Sequence, residues 1–212
     1  MHAMGSGAGV ANGLGNLRQF GFDQPVLAIC GDSTFYHAVI PAVVNSVYNN
    51  SDFILIIADN GGTAMTGFQP HPGTGELATK DSTEVIDMEA LCRAIGAHVE
   101  VCDPFDLKNT TETLLRLMKG DRGTKVVIMR HSCELIRAKR EKRKPYKVSV
   151  DPERCAGDRC GCDRLCTRLF QCPGLVWEKG KDKATIDEAL CVGCGLCVDI
   201  CHQKALIKEA IV

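Results

Sequence analysis

FILIIADNGGTAMTGFQPHPGTG, residues 53–75, is the stretch on which the fold turns. Its first part, FILIIAD, is an unbroken apolar run of strand length. A run without polar alternation suits a parallel strand covered on both faces. The remainder is a long glycine-rich loop anchored by Pro70 and Pro72, and long loops inside compact domains are usually functional. Further short apolar runs lie on either side: VLAIC (26–30), HVEVC (98–102) and KVVIMR (125–130). Helical stretches fall between them, over 37–49, 87–95 and 106–119. This alternation predicts right-handed crossover units and an α/β fold with an open parallel sheet. Ligands on such sheets bind beyond the carboxyl ends of the strands. The segments to read for chemistry are therefore GDSTFYH (31–37) and the loop after Asp59.

Composition bounds the function classes. The chain has 212 residues, 45% apolar and 24% charged, enough for a packed core. A net charge of -1 argues against a globally basic nucleic-acid binder, so no nucleic acid is expected as a partner. No apolar run approaches the roughly 20 residues of a membrane span, and the first residues lack a signal pattern. A cytoplasmic protein without a membrane partner is the expectation. Charge divides the chain unevenly: residues 1–136 carry 9 Lys+Arg against 15 Asp+Glu, and residues 137–150 carry 7 against 1. That basic run, RAKREKRKPYKVSV, reads as a linker between a first domain (1–136) and a last one (151–212). A solvated connector is its plain reading, and a docking surface for an acidic electron carrier is the other.

Asp32 and Asn60 each stand just past a strand end, 28 residues apart, and neighbouring parallel strands can bring such ends together. A carboxylate, a carboxamide oxygen and a backbone carbonyl are hard ligands of the kind Mg²⁺ takes, with phosphate oxygens completing the shell. Gly31, Gly61 and Gly62 lack side chains and would let backbone amides approach a phosphate. The helix starting near Phe35 would aim its positive end the same way. Taken singly, Asp32 could simply cap a helix and Asn60 support a turn.

The cysteines point to metal. Of 13, nine fall between Cys155 and Cys201, while Cys30, Cys92, Cys102 and Cys133 are scattered among apolar residues as small core side chains. Cys191, Cys194, Cys197 and Cys201 have the C-x2-C-x2-C-x3-C spacing of bacterial ferredoxins, in which three thiolates hold one cubane and the fourth reaches the other. That 2-2-3 spacing is hard to wrap around one tetrahedral zinc. The earlier run, Cys155, Cys160, Cys162, Cys166 and Cys172, is irregular. Its final Cys172-Pro173 makes Cys172 the candidate to complete the group of Cys191, Cys194 and Cys197. Cys201 then joins three of Cys155, Cys160, Cys162 and Cys166, and one thiol is spare. Two [4Fe-4S] clusters are expected, in a small α+β ferredoxin-like domain with Trp177 packed between the motifs.

GDSTFYHAVIPAVVNSVYN (31–49) followed by DNGGTAMTGFQPHPGTG (59–75) resembles the C-terminal part of the alpha subunit of indolepyruvate:ferredoxin oxidoreductases, within the thiamine-diphosphate enzymes. The resemblance covers most of residues 1–136 and, with the ferredoxin-like tail, nearly the whole chain. It implies that Asp32 and Asn60 are side-chain ligands of Mg²⁺, with the Gly62 carbonyl as a third. It implies diphosphate contacts at Gly31, Asp32 and Ser33, and places Thr66 and Gly67 near the thiazolium. MGSGAG (4–9) resembles a helix start that touches the cofactor. His71 is a candidate for acid/base catalysis, the alternative being a structural His before Pro.

The activity so implied is oxidative decarboxylation of an aryl 2-oxo acid, indolepyruvate. Coenzyme A would take the acyl group and external ferredoxin the electrons. Thiamine diphosphate, Mg²⁺ and the two clusters would be the cofactors. The family's subunit also has a pyrimidine-binding region that supplies the activating glutamate, and no residue here can take that role. A pyrimidine-binding domain or subunit and a smaller beta (gamma-type) subunit are thus expected partners, the chain being a fragment or one subunit of a split enzyme. Two other readings stay open: an electron-transfer subunit without catalysis of its own, and an oxidoreductase for a different 2-oxo acid.

Overall fold

The computed structural model describes residues 3–160 and 164–211. The chain divides into two compact units, Met1–Ser132 and Cys133–Val212.

In the first unit, strands β1 (Leu27–Gly31), β2 (Phe53–Asp59), β3 (His98–Cys102) and β4 (Thr124–Arg130) form one parallel sheet in the order β1-β2-β4-β3. The apolar run at 53–59 lies in its centre, with Phe53, Leu55 and Ile57 at most 1% exposed. Each such side chain contributes about 1.5–3 kcal/mol by leaving water. Helices α1 (Ser6–Gly15), α3 (Ile40–Tyr48) and α4 (Met88–Ile95) cover one face, and α5 (Leu107–Lys119) covers the other. Gly15 lets α1 approach β2: a Cβ there would stand 2.7 Å from the Asp52 carbonyl oxygen. Asp87 caps α4 by accepting the amides of Glu89 and Ala90, and Asp106 caps α5 through Asn109.

Between β1 and α3 the chain makes a short helical turn, α2 (Asp32–Thr34), then a π-helical turn, Phe35–Val39. Pro41 explains the widening. It has no N–H to offer and its ring collides with the carbonyl four residues back, so the preceding turn opens. This turn buries Phe35 and Val39 in the core and leaves Tyr36 beside the strand ends.

The second unit contains α6 (Glu134–Glu141), α7 (Leu165–Arg168), α8 (Leu196–Ile200) and two antiparallel strand pairs. In one, β5 (Tyr146–Val150) pairs with β8 (Leu206–Ala210); in the other, β6 (Leu175–Glu178) pairs with β7 (Lys183–Ile186). Val148, Leu175, Ala184, Cys197 and Leu206 form its core, with Trp177 packed against them. Residues 137–150 therefore differ from the expected linker. They supply most of α6 and all of β5, because Tyr146, Val148 and Val150 alternate inward and complete the sheet with β8.

Candidate cofactor and cluster sites

Register places the candidate residues of the first unit. Gly31 pairs with Ala58 across β1 and β2, so Asp32 and Asn60 leave the sheet side by side at its carboxyl edge. Asp32 is 2% exposed. Its Oδ2 accepts the backbone N–H groups of Asn60, Gly61 and Gly62 at 3.2, 2.9 and 3.2 Å, and its Oδ1 accepts that of Ser33 at 2.7 Å. Asn60 Oδ1 accepts the Gly62 amide at 3.1 Å. The amides of Gly61 and Gly62, expected to be free for a phosphate, are instead turned onto Asp32. A buried carboxylate needs donors to offset its lost hydration, and the nearest ones are in this loop.

His71 lies on the other side of the same carboxylate. Its side chain is 2% exposed, and Nε2 stands 3.1 Å from Asp32 Oδ2. The approach is close but misaligned, and among the described residues the buried Nε2 has no hydrogen-bond partner. Nδ1 accepts the Gly73 N–H at 3.1 Å, which assigns the ring proton to Nε2, facing Asp32. The Tyr36 ring packs against the imidazole at 5.4 Å between centroids, and its hydroxyl donates to the Ile86 carbonyl. Burial and three nearby carboxylates, Asp59, Asp87 and Asp32, push the Tyr36 phenol up to about 12. Gly73 is needed here because a Cβ would stand 2.6 Å from Tyr36 Oη.

The other candidates lie farther out. Thr66 and Gly67 are exposed in the 3-10 turn Ala64–Thr66 and its cap, where the Thr66 hydroxyl donates to Gln69 Oε1. In MGSGAG, Gly5 (φ +85°) packs on Ala38 and Thr34, so this segment reaches the π-helical turn. Tyr36 and Ile86 were missed by the sequence reading. Tyr36 sits inside the quoted GDSTFYH motif, yet nothing in spacing alone links it to a residue 50 positions away.

The thiols of the second unit lie in two neighbourhoods, and among the described residues no three of them are drawn in to metal-binding distance. Gly174, just after Cys172-Pro173, packs on the backbone of Cys191, where a Cβ would stand 2.8 Å from its Cα. Burial pushes the Cys197 thiol up to about 12, with Cys194, Cys172 and Cys191 adding to the effect. Burial raises Cys194 as well, with Glu134, Cys172 and Cys191 adding to it. Cys172, Cys191, Cys194 and Cys197 thus share one electrostatic neighbourhood. Cys155, Cys160, Cys166 and Cys201 line a separate small cavity together with Trp177 and His202. Arg164 stacks over the Trp177 ring at 4.7 Å. Cys162 lies outside the described residues.

The donor chemistry fits the groups the two sites would hold. Asp32 Oδ1 and Asn60 Oδ1 each accept one N–H and keep a lone pair, as a hard cation requires. Soft thiols at ferredoxin spacing are the ligand type iron–sulfur cubanes take.

Comparison with known proteins agrees with this division. Residues 1–129 match the family described as thiamine pyrophosphate enzyme, C-terminal TPP binding domain. The chain belongs to the thiamine pyrophosphate enzymes. Residues 184–206 match the 4Fe-4S binding domain, so a thiamine pyrophosphate-binding domain is joined here to an iron–sulfur one. The chain is 38% identical over 208 residues to the indolepyruvate oxidoreductase subunit IorA of Archaeoglobus fulgidus, covering 96% of this chain and 31% of that protein. Its identity to IorA of Pyrococcus horikoshii is 37% over 220 residues, covering 97% and 33%. The chain therefore spans about a third of the length of these relatives. A 2-oxoglutarate:ferredoxin oxidoreductase from Magnetococcus marinus has the same fold over 61% of this chain and 45% of its own, with TM-score 0.52 and 17% identity. Among the described residues no helix is long and apolar enough to cross a membrane.

Proposed function

We propose that this chain supplies the diphosphate and Mg²⁺ half-site and the clusters of a 2-oxoacid:ferredoxin oxidoreductase acting on an aryl 2-oxo acid, indolepyruvate. The observation that carries the reading is the buried Asp32 carboxylate, fixed at a strand end by three amides of the next strand's loop. Asp32, Asn60 and the Gly62 carbonyl would hold Mg²⁺. Gly31, Asp32 and Ser33 would meet the diphosphate, and Thr66 and Gly67 the thiazolium. Bound thiamine diphosphate supplies the electron sink for decarboxylation.

His71 serves Asp32 in this reading rather than the substrate. Both of its ring nitrogens face this chain's own atoms, Nδ1 the Gly73 N–H and Nε2 the Asp32 carboxylate. One cluster would take Cys172, Cys191, Cys194 and Cys197, and the other Cys155, Cys160, Cys166 and Cys201. Cys162 is then the surplus thiol. Coenzyme A, external ferredoxin, a pyrimidine-binding domain or subunit and a smaller subunit complete the proposed system. The names of the IorA relatives support indolepyruvate as the substrate.

The test is anaerobic assembly of the chain with a pyrimidine-binding region and the smaller subunit. Coenzyme A-dependent ferredoxin reduction is then assayed with indolepyruvate, pyruvate and 2-oxoglutarate. The expected result is turnover with indolepyruvate that disappears in Asp32→Ala. Turnover that survives Asp32→Ala, or no turnover with any 2-oxo acid, would overturn the reading.

A further inference from the structure

Neither proposed site uses a group of cations in the second unit. Lys139, Arg140, Lys142, Arg143, Lys144 and Lys147 are all exposed. Among the described residues, only Lys144 of these six has a side-chain partner: its ammonium donates to the Glu188 carbonyl, three residues before Cys191. By contrast Arg137, on the same helix, is neutralised by Glu134 and Glu141. Five cations are thus left open to solvent within nine residues.

Their position gives the charge a use. The loop from Cys191 to Gly195 is pressed onto the basic strand β5. Gly193, at φ +72°, lies against the Tyr146 carbonyl and Lys144 Cβ. Gly195, at φ +76°, lies against the stem of Lys208 and the Tyr146 ring. Lys208 Nζ stands 5.4 Å from the centroid of that ring. Lys144, Lys147 and Cys191 line one cavity of about 210 Å³. The acids there are few: Glu188 in the same cavity, Glu209 opposite Lys147 in the strand register, and Asp199 at 3.8 Å from Lys208.

We propose that this basic edge is the docking surface for a small acidic iron–sulfur electron carrier. The cluster of Cys172, Cys191, Cys194 and Cys197 would be the exit for electrons to it. The inference rests on the functional reading above for the direction of electron flow. One electron passes per encounter, oxidising the cluster and reducing the carrier, with no bond made or broken. Such encounters use small interfaces and depend on electrostatic steering, which a concentrated field of unpaired cations provides. The packing of the basic strand on the cysteine loop favours an electron carrier over a nucleic acid or a lipid surface, neither of which needs a cluster within reach.

The test uses the cluster-loaded chain reduced chemically, so that it does not depend on any 2-oxo acid. An acidic bacterial 2[4Fe-4S] ferredoxin is the probe, and a small non-protein dye is the control acceptor. Arg140→Glu/Arg143→Glu/Lys147→Glu should slow ferredoxin reduction about tenfold or more at low salt and weaken ferredoxin binding in calorimetry. The gap between variant and parent should close at roughly 0.5 M salt. Dye reduction and the visible cluster spectrum should not change. The milder Arg140→Gln/Arg143→Gln pair should act in the same direction with a smaller effect. An unchanged ferredoxin rate, a parent rate insensitive to salt, or displacement of ferredoxin by a short RNA or by phosphatidylglycerol vesicles would each overturn the proposal. If chemically driven transfer behaves as expected while substrate-driven turnover fails, docking stands and the catalytic reading falls.

Discussion

Asp32→Asn is nearly isosteric, so it opens no cavity and isolates the charge. The best orientation of the new amide keeps its oxygen toward Asn60, Gly61 and Gly62, where three amides now meet a carboxylate at 2.9–3.2 Å. Each of those bonds changes from charge-assisted to neutral, a loss of about 1 kcal/mol. The amide nitrogen then faces the Ser33 N–H, now 2.7 Å from an acceptor. Two donors face each other, which costs a further 1–3 kcal/mol or so. Relief from burying a charge offsets part of this, on the order of 2 kcal/mol. The net loss expected is about 2–4 kcal/mol for the first unit. Trp177 is the chain's single tryptophan and lies in the second unit, so urea unfolding can follow the units apart. The far-ultraviolet circular dichroism transition should move to lower urea while the tryptophan fluorescence transition stays in place. A shift worth less than about 0.5 kcal/mol would mean that the amide cradle does not organise the strand ends, and the reasoning about Asp32 would fail.

Other expectations follow from packing and charge. Gly15→Ala should lower the urea midpoint of the first unit by about 1–3 kcal/mol equivalent, because the added methyl meets the Asp52 backbone rather than a movable side chain. Burial pushes the Cys92 thiol up to about 11 and leaves it 0% exposed, so iodoacetamide should label it only after unfolding, as read by peptide mass spectrometry. Burial acts to raise the Asp52 carboxyl, yet the Lys125 and Arg18 partners outweigh it and hold it below its ordinary value. The stability this confers is present above about pH 4 and drains away as pH falls through the lowered value. Asp52→Asn should therefore flatten the acid limb of a stability–pH curve. Cys172→Ala should lower bound iron by about half, whereas Cys162→Ala should leave it unchanged in anaerobic iron analysis.

Arg130 and Asp59 form a 2.7 Å ion pair at the edge of a cavity that Tyr36, His71 and Asp87 also line. Within that lining the His71 ring is held by the Gly73 amide at Nδ1 and by the Tyr36 ring at 5.4 Å between centroids.

Much of the fold was legible in the chain itself. FILIIAD, VLAIC, HVEVC and KVVIMR named the four parallel strands to within a residue or so; the central two leave continuous apolar runs because both faces are covered, whereas β1 leaves Leu27 and Ile29 exposed. The helical stretches read at 87–95 and 106–119 coincide with α4 and α5 in the same way. The spacing of Cys191, Cys194, Cys197 and Cys201 announced soft-metal chemistry locally. Other features needed the folded chain. Sheet register, not sequence distance, set Asp32 beside Asn60, and only then did the loop amides turn inward to a buried carboxylate. The partners of His71, the Gly73 amide at one nitrogen and Asp32 facing the other, came only from the folded loop. Residues 137–150 read as a connector because charge dominates their composition. Alternation of Tyr146, Val148 and Val150 is too short a signal to overrule it. Pairing with a strand some 60 residues later made that segment part of the second unit's core, since a strand's hydrogen-bond partners are decided by the tertiary structure.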